Sequence, residues 1–182
     1  MPHPTAKILT SIHGNRRIGL GAQNELIINR EPFDGNETAQ ALVLNIARKQ
    51  LTTAQVLALF ATPIEVIAAP GAGKAILVHH AIFAMDYAGT AYAADAGEDL
   101  VLAYTDASGL IVTDPLDGEA FIQAAADAIA YAPGVGASNQ GIEMTQNAAI
   151  VAKMQVAEVV TGNSAVDITV FYEVLTIGDY FI

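Results

Sequence analysis

The chain has 182 residues, 53% hydrophobic and 15% charged, with 8 Lys and Arg against 19 Asp and Glu and a formal net charge of −11. So much apolar material excludes a disordered chain, which would be polar and charge-rich, and the length suits one domain of ordinary size with an appendage. The lack of cysteine excludes a disulfide framework, a thiolate zinc site and a cysteine nucleophile, and the acidity argues against nucleic acid and anionic membrane surfaces, which would repel it.

Residues 1–50 are punctuated by turn formers: Pro2, Pro4, Gly14, Gly19, Gly21, Pro32 and Gly35, with Asn15, Asn24, Asn29 and Asn36. A secretory leader needs a run of roughly 7–15 apolar residues, whereas residues 8–12 are short and broken by Thr10 and Ser11. Only residues 25–30 (ELIINR) read as a short strand. Six of the eight cations fall here (Lys7, Arg16, Arg17, Arg30, Arg48 and Lys49), against Glu25, Glu31, Asp34 and Glu37, so this stretch carries +2 and the remainder −13. Ile8, Leu9, Ile12, Ile18, Leu20, Leu26, Ile27 and Ile28 supply more apolar surface than a pure linker carries. A solvated leader is the plain expectation. The sharper one is an extended N-terminal arm over 1–50 that orders against a partner. Its partner-binding residues would be Arg16, Arg17, Arg30, Arg48 and Lys49, which can pair with carboxylates, and Leu26, Ile27 and Ile28, which can be buried.

Residues 50–59 form the best short helix, with Thr52 or Thr53 as its cap and Pro63 beyond its end. Short apolar runs follow between turns. Strands are expected over 63–69, 74–86 and 99–105, with 110–113 as a hairpin partner of the last. Two more, over 148–160 and 165–177, flank the turn Thr161-Gly162-Asn163-Ser164 and read as a second hairpin. Residues 119–131 (EAFIQAAADAIAY) are a helix on alanine propensity, or a short helix and then a strand. The apolar window 54–72 contains Gln55, Pro63, Glu65 and Pro70, so it fails as a membrane span. The expected fold is all-β: an antiparallel β-sandwich or jelly-roll-like domain over 51–182, the extended arm over 1–50, and one or two short helices. Ile76, Val78, Leu100, Leu102, Val170 and Tyr172 are its expected core.

Candidate chemistry is thin. Gly71-Ala72-Gly73-Lys74-Ala75 resembles a phosphate-binding loop, but Ala68 stands where that pattern needs glycine and Ala75 where it needs Ser or Thr. Gly134, Gly136 and Gly141 lack dinucleotide spacing. His79 and His80 are adjacent on a strand, so they should face opposite sides and not share a metal. Asp95, Glu98, Asp99, Asp106, Asp114, Asp117 and Glu119 match no helix–loop–helix calcium pattern and read as a solvated acidic rim. No Gly-x-Ser-x-Gly elbow occurs. Neither catalytic residues, nor a metal, nor a cofactor are expected.

Thr62-Pro63, Val66 and Ala69-Pro70-Gly71 with Gly73-Lys74 form one recurring pattern. Asp86-Tyr87-Ala88-Gly89-Thr90-Ala91-Tyr92, Tyr104-Thr105-Asp106-Ala107-Ser108-Gly109 and the aromatic strand 170–174 complete it. Over residues 50–177 the chain resembles small structural proteins of tailed bacteriophages. That resemblance implies a non-enzymatic virion component: a capsid decoration (cement) protein on the outer capsid surface, present in the host cytoplasm before assembly. It implies the major capsid protein and sister subunits, as a homotrimer, for partners, and supplies no catalytic residue. The alternatives are a tail or collar fibre component and a carbohydrate-binding β-sandwich.

Overall fold

The computed structural model describes residues 44–94, 97–105, 109–118, 120–135 and 144–177, and the backbone of three short strands before them. The chain divides into two compact units, Met1–Leu44 and Asn45–Ile182. In the first, β1 (Leu9–Thr10), β2 (Arg17–Leu20) and β3 (Leu26–Asn29) form an antiparallel sheet in the order β1-β2-β3. Sequence pattern showed only β3, because β1 has two residues and β2 (RIGL) is interrupted by Gly19.

The second unit is an all-β antiparallel sandwich. One sheet has the order β4-β10-β6-β8, formed by β4 (Asn45–Leu51), β10 (Ala165–Thr176), β6 (Lys74–Asp86) and β8 (Ala128–Pro133). The other has the order β5-β9-β7, formed by β5 (Ile64–Ile67), β9 (Ile150–Met154) and β7 (Leu100–Tyr104). Residues 110–116 extend this second sheet beyond β7 through the bridges Ala103↔Ile111 and Leu100↔Leu116. A further bridge, Thr113↔Gly134, joins that segment to the end of β8 and closes one side of the sandwich. Every connection from β4 onward crosses between sheets, except the turn from β7 into 110–116. This is the double-sheet winding of a jelly roll.

The unit begins at Asn45, six residues before the boundary drawn from composition, because β4 pairs with β10 along its whole length, from Tyr172↔Asn45 to Val166↔Leu51. Arg48 and Lys49 therefore belong to the sandwich. Met1–Leu44 holds four cations and four acids, net 0, and Asn45–Ile182 holds four cations and fifteen acids, net −11. The basic character of the first fifty residues thus lies in one edge strand of the body.

Strand β6 spans Lys74–Asp86, as its sequence pattern predicts, and 110–113 partners β7 as expected. The second hairpin is not formed: β9 and β10 lie in different sheets, and the Thr161–Ser164 turn carries the chain between layers. Residues 120–123 are turns, with strand β8 beginning at Ala128. Alanine propensity loses there to cross-strand pairing with β6. Among the described residues the one α-helix is α1 (Thr53–Leu57), shorter than its propensity allows. Its capping box is complete: the Thr52 side chain accepts from the Gln55 amide, and the Gln55 side chain accepts from the Thr52 amide at 2.9 Å. The Glu158 carboxylate then receives the Phe60 and Ala61 amides at 3.0 and 2.8 Å and holds the chain as it leaves the helix.

Between the sheets lie Leu51, Leu59, Ile76, Phe83, Leu102, Ile150 and Ile168, none more than 1% exposed. Each such side chain contributes roughly 1.5–3 kcal/mol on burial. Ile76, Val78, Leu100, Leu102 and Val170 are buried as expected, and Tyr172 is partly buried against the same cluster. Two phenols bind the layers: the Tyr104 hydroxyl donates to the Ile76 carbonyl, and the Tyr92 hydroxyl to the Ser164 carbonyl. Gly162 sits at φ +86°, and a Cβ there would lie 2.3 Å from the Tyr92 ring, so only glycine fits.

Candidate functional site

Three features singled out in the sequence resolve into structural roles. Gly71 (φ +96°) and Gly73 (φ +74°) turn the chain into β6, with no helix following. The Gly71 amide donates to Asn147 Oδ1 at 2.9 Å, and the Asn147 amide donates to the Lys74 carbonyl at 2.8 Å. The Gly71 amide, and the Lys74 amide that donates to the Gly71 carbonyl at 3.3 Å, are thus engaged in fixing a turn. The loop carboxylates do not all form a solvated rim: Glu98 is buried, and three others bind main-chain amides. Asp127 Oδ1 accepts the Tyr87 amide at 3.0 Å, Asp117 Oδ1 accepts the Ala120 amide at 3.3 Å, and Asp99 Oδ1 accepts the Gly118 amide at 3.4 Å. Asp95, Asp106 and Glu119 lie outside the described residues.

The expectation for His79 and His80 is corrected. A β-bulge breaks the register, with Phe171 opposite His80 and Tyr172 opposite Val78, so His79 is the extra residue. Both histidines then meet residues two apart on β10. His79 Nε2 lies 3.0 Å from Glu173 Oε1, and the His80 ring stacks on Phe171 at 4.3 Å between centroids. Strict alternation fails because the bulge absorbs one step of the pleat. The same step moves the buried positions of β6 from Ile76 and Val78 to Ala81, Phe83 and Met85. Among the described residues no three His, Cys, Asp or Glu side chains gather as a metal-binding group.

What remains open is the outer face of the four-stranded sheet. Its register aligns three rows across the strands: Ile46–Phe171–His80, Arg48–Thr169–Ile82–Tyr131 and Gln50–Asp167–Ala84–Ile129. Asp167 is the one carboxylate in these rows, and Gln50 Nε2 donates to its Oδ2 at 3.4 Å. Ile129 is 81% exposed, Tyr131 63% and Ile46 54%. His80 lies between Phe171 and Tyr131, 5.3 Å from the latter ring, giving an aromatic strip across β10, β6 and β8. At one border, Arg48, Lys49, Gln50, Asp167, Ile168 and Thr169 line a surface depression of about 430 Å³. This face offers flat apolar and aromatic area, suited to contact with another macromolecule.

The residues singled out for partner binding are split between the units. Arg17 is on β2, and Leu26, Ile27 and Ile28 are on β3; in that sheet Ile28 pairs with Ile18 and Ile27 with Gly19. Arg16 and Arg30 lie outside the described residues. Arg48 and Lys49 are on β4, with Arg48 exposed on the outer face and Lys49 partly covered. Sequence reasoning missed Ile46, His80, Ile129, Tyr131 and Phe171 as one surface. The alternation of small and large residues in Ala128-Ile129-Ala130-Tyr131-Ala132 was the available signal, masked by helix-favouring alanine.

No protein-family model matches the chain, and no curated protein matches it. Among solved structures, the capsid asymmetric unit of cyanophage Pam1 is similar at 14% identity and a TM-score of 0.41, over 76% of this chain and 97% of that one. A similarity of that size establishes neither shared fold nor shared function.

Proposed function

We propose that this chain is a non-enzymatic virion structural protein, a capsid decoration protein that binds the outer surface of a phage head and stabilises it alongside sister copies. The observation that carries the reading is the open outer face of the β4-β10-β6-β8 sheet. On a unit of net −11 it presents Ile46, Phe171, His80, Tyr131 and Ile129 with a single carboxylate in three rows. The three apolar and aromatic rows, with Glu173 and Asp86 at their borders, suit contact with protein surface on a body that is otherwise strongly acidic. The phage-like pattern over residues 50–177 supports the same reading. Attachment in this reading uses the outer face together with Met1–Leu44, which brings Arg16, Arg17, Arg30 and the apolar run 26–28.

Cosedimentation of the purified chain with emptied heads of its phage tests it. Saturable binding at a fixed number of copies supports decoration, and no binding removes it. A second reading, a carbohydrate-binding module, is favoured by the His80–Phe171–Tyr131 strip, since sugar rings pack on aromatic faces. A glycan array separates the two, because a decoration protein leaves it unlabelled.

A further inference from the structure

We propose that copies of this chain join edge to edge: the free edge of β8 in one copy pairs antiparallel with the free edge of β4 in the next, so that the four-stranded sheet continues between copies. This deepens the reading that sister copies associate by assigning the surface that joins them.

The two strands end the same sheet; among the described residues β4 has no ladder partner on its far side, and β8 is met there only at its end, where the Asp114 amide binds the Pro133 carbonyl. A free edge presents unpaired amides and carbonyls, and proteins usually guard it with charge. Strand β4 is guarded by Arg48 and Lys49. Strand β8 reads AIAYAP, without a charge, and carries Ile129 and Tyr131 at 81% and 63% exposure.

Topology makes the two edges compatible. Each strand is antiparallel to its neighbour in the order β4-β10-β6-β8, so β4 and β8 run in opposite directions. Copies related by rotation about an axis along the strands therefore bring β8 beside β4 in the antiparallel sense. With the register unshifted, the middle row places Tyr131 next to Arg48 of the next copy, a cation over an aromatic face. The row beside it places Ile129 next to Gln50, and the pairing stops short of Pro133, whose carbonyl the Asp114 amide already holds.

Charge selects this pairing over β8 with β8. Asp127 precedes β8, and the Asp114 amide binds the Pro133 carbonyl at its other end, so both ends of that edge carry acids. Strand β4 holds two of the four cations of Asn45–Ile182. A β8–β8 contact doubles the acids at both ends, whereas β8 with β4 brings the cations Arg48 and Lys49 to that edge instead. Such a contact joins two different patches, so each copy keeps one edge for the next, and in this proposal the set closes as a ring rather than running on as a filament. Three copies close it as the homotrimer that the phage resemblance implies.

The test uses the full purified chain without heads, so its outcome is separate from that of capsid binding. Light scattering and sedimentation should give a trimer at micromolar concentration. Ile129→Lys with Tyr131→Glu blocks the β8 edge, and Ile46→Lys with Arg48→Glu blocks the β4 edge. Each pair should weaken association at least tenfold, with circular dichroism unchanged because these side chains are exposed. Mixed in equal amounts, the two variants should form a one-to-one heterodimer through the edge that each retains. In the wild type, amide exchange across Ile129–Ala132 should slow as concentration rises, an outcome that needs no variant. A monomeric wild type, variants of undiminished mass, or a mixture that forms no heterodimer would overturn the proposal. So would a monomer that binds heads through β8, which would give this edge to the capsid subunit.

Discussion

The Tyr104 hydroxyl reaches from β7 of one sheet to the main-chain carbonyl of Ile76 on β6 of the other. Strand β6 outruns β8, which pairs with it only from His80 onward, so Ile76 lies where the sheet has narrowed. Both residues are at most 2% exposed. Tyr104→Phe would keep the ring and leave the carbonyl without its donor, at a cost of about 1–3 kcal/mol. Urea unfolding should show that loss with an unchanged m-value.

Two glycines with similar backbone angles should respond differently to alanine. Gly71 has φ +96° and nothing within 4 Å of a would-be Cβ, while Gly162 has φ +86° and the Tyr92 ring at 2.3 Å. Gly71→Ala should cost only backbone strain, about 1–2 kcal/mol. Gly162→Ala should add an overpacking penalty of about 1–3 kcal/mol. Thermal unfolding of the two variants side by side measures the difference.

Burial raises the ionisation of the Tyr92 phenol above its ordinary 10.0, with the Thr53 side chain partly opposing the shift. The folded chain therefore keeps a proton that the unfolded chain releases. This contribution to stability is complete below pH 10.0 and falls as pH rises from there through the folded-state value. Denaturant unfolding at pH 9 and pH 11 should show the decline, and Tyr92→Phe should flatten that part of the profile.

The sandwich was readable wherever periodicity and turn residues agreed. The run KAILVHHAIFAMD between Gly73 and the Tyr87–Thr90 turn gave β6 its full extent. A threonine cap at Thr52 or Thr53 announced α1, and the structure settles it on Thr52. What failed depended on long-range pairing. Which strands join across Thr161–Ser164 is decided by partners far away in sequence, so a local hairpin signal there became a crossing between sheets. The outer face was hidden for two reasons: the bulge at His79 reverses the inside–outside parity of β6 midway, and alanine-rich sequence around β8 looks helical. The unit boundary escaped composition because the charges of β4 resemble those before it, while its pairing with β10 has no local signature.

That boundary predicts two truncations with opposite outcomes. Removing residues 1–43 should leave a cooperatively folded body, since β4 onward is intact. Removing residues 1–51 also takes β4 and Leu51, uncovering one side of β10 and opening the core, and should abolish the cooperative transition. Circular dichroism melts distinguish them. Arg16→Ala with Arg17→Ala should leave the melt unchanged and lower head binding modestly, about 0.2–1 kcal/mol per lost exposed pair, with weaker salt dependence.

The most direct measurement of the proposed role is the number of copies bound per emptied head at saturation, for the full chain and for the chain lacking residues 1–43. The account predicts a regular, saturable occupancy over the whole head for the full chain, and a large loss of it on truncation. Binding of a handful of copies at one site would place the protein in the tail or collar instead, and no binding by the full chain would contradict a virion role on the head altogether.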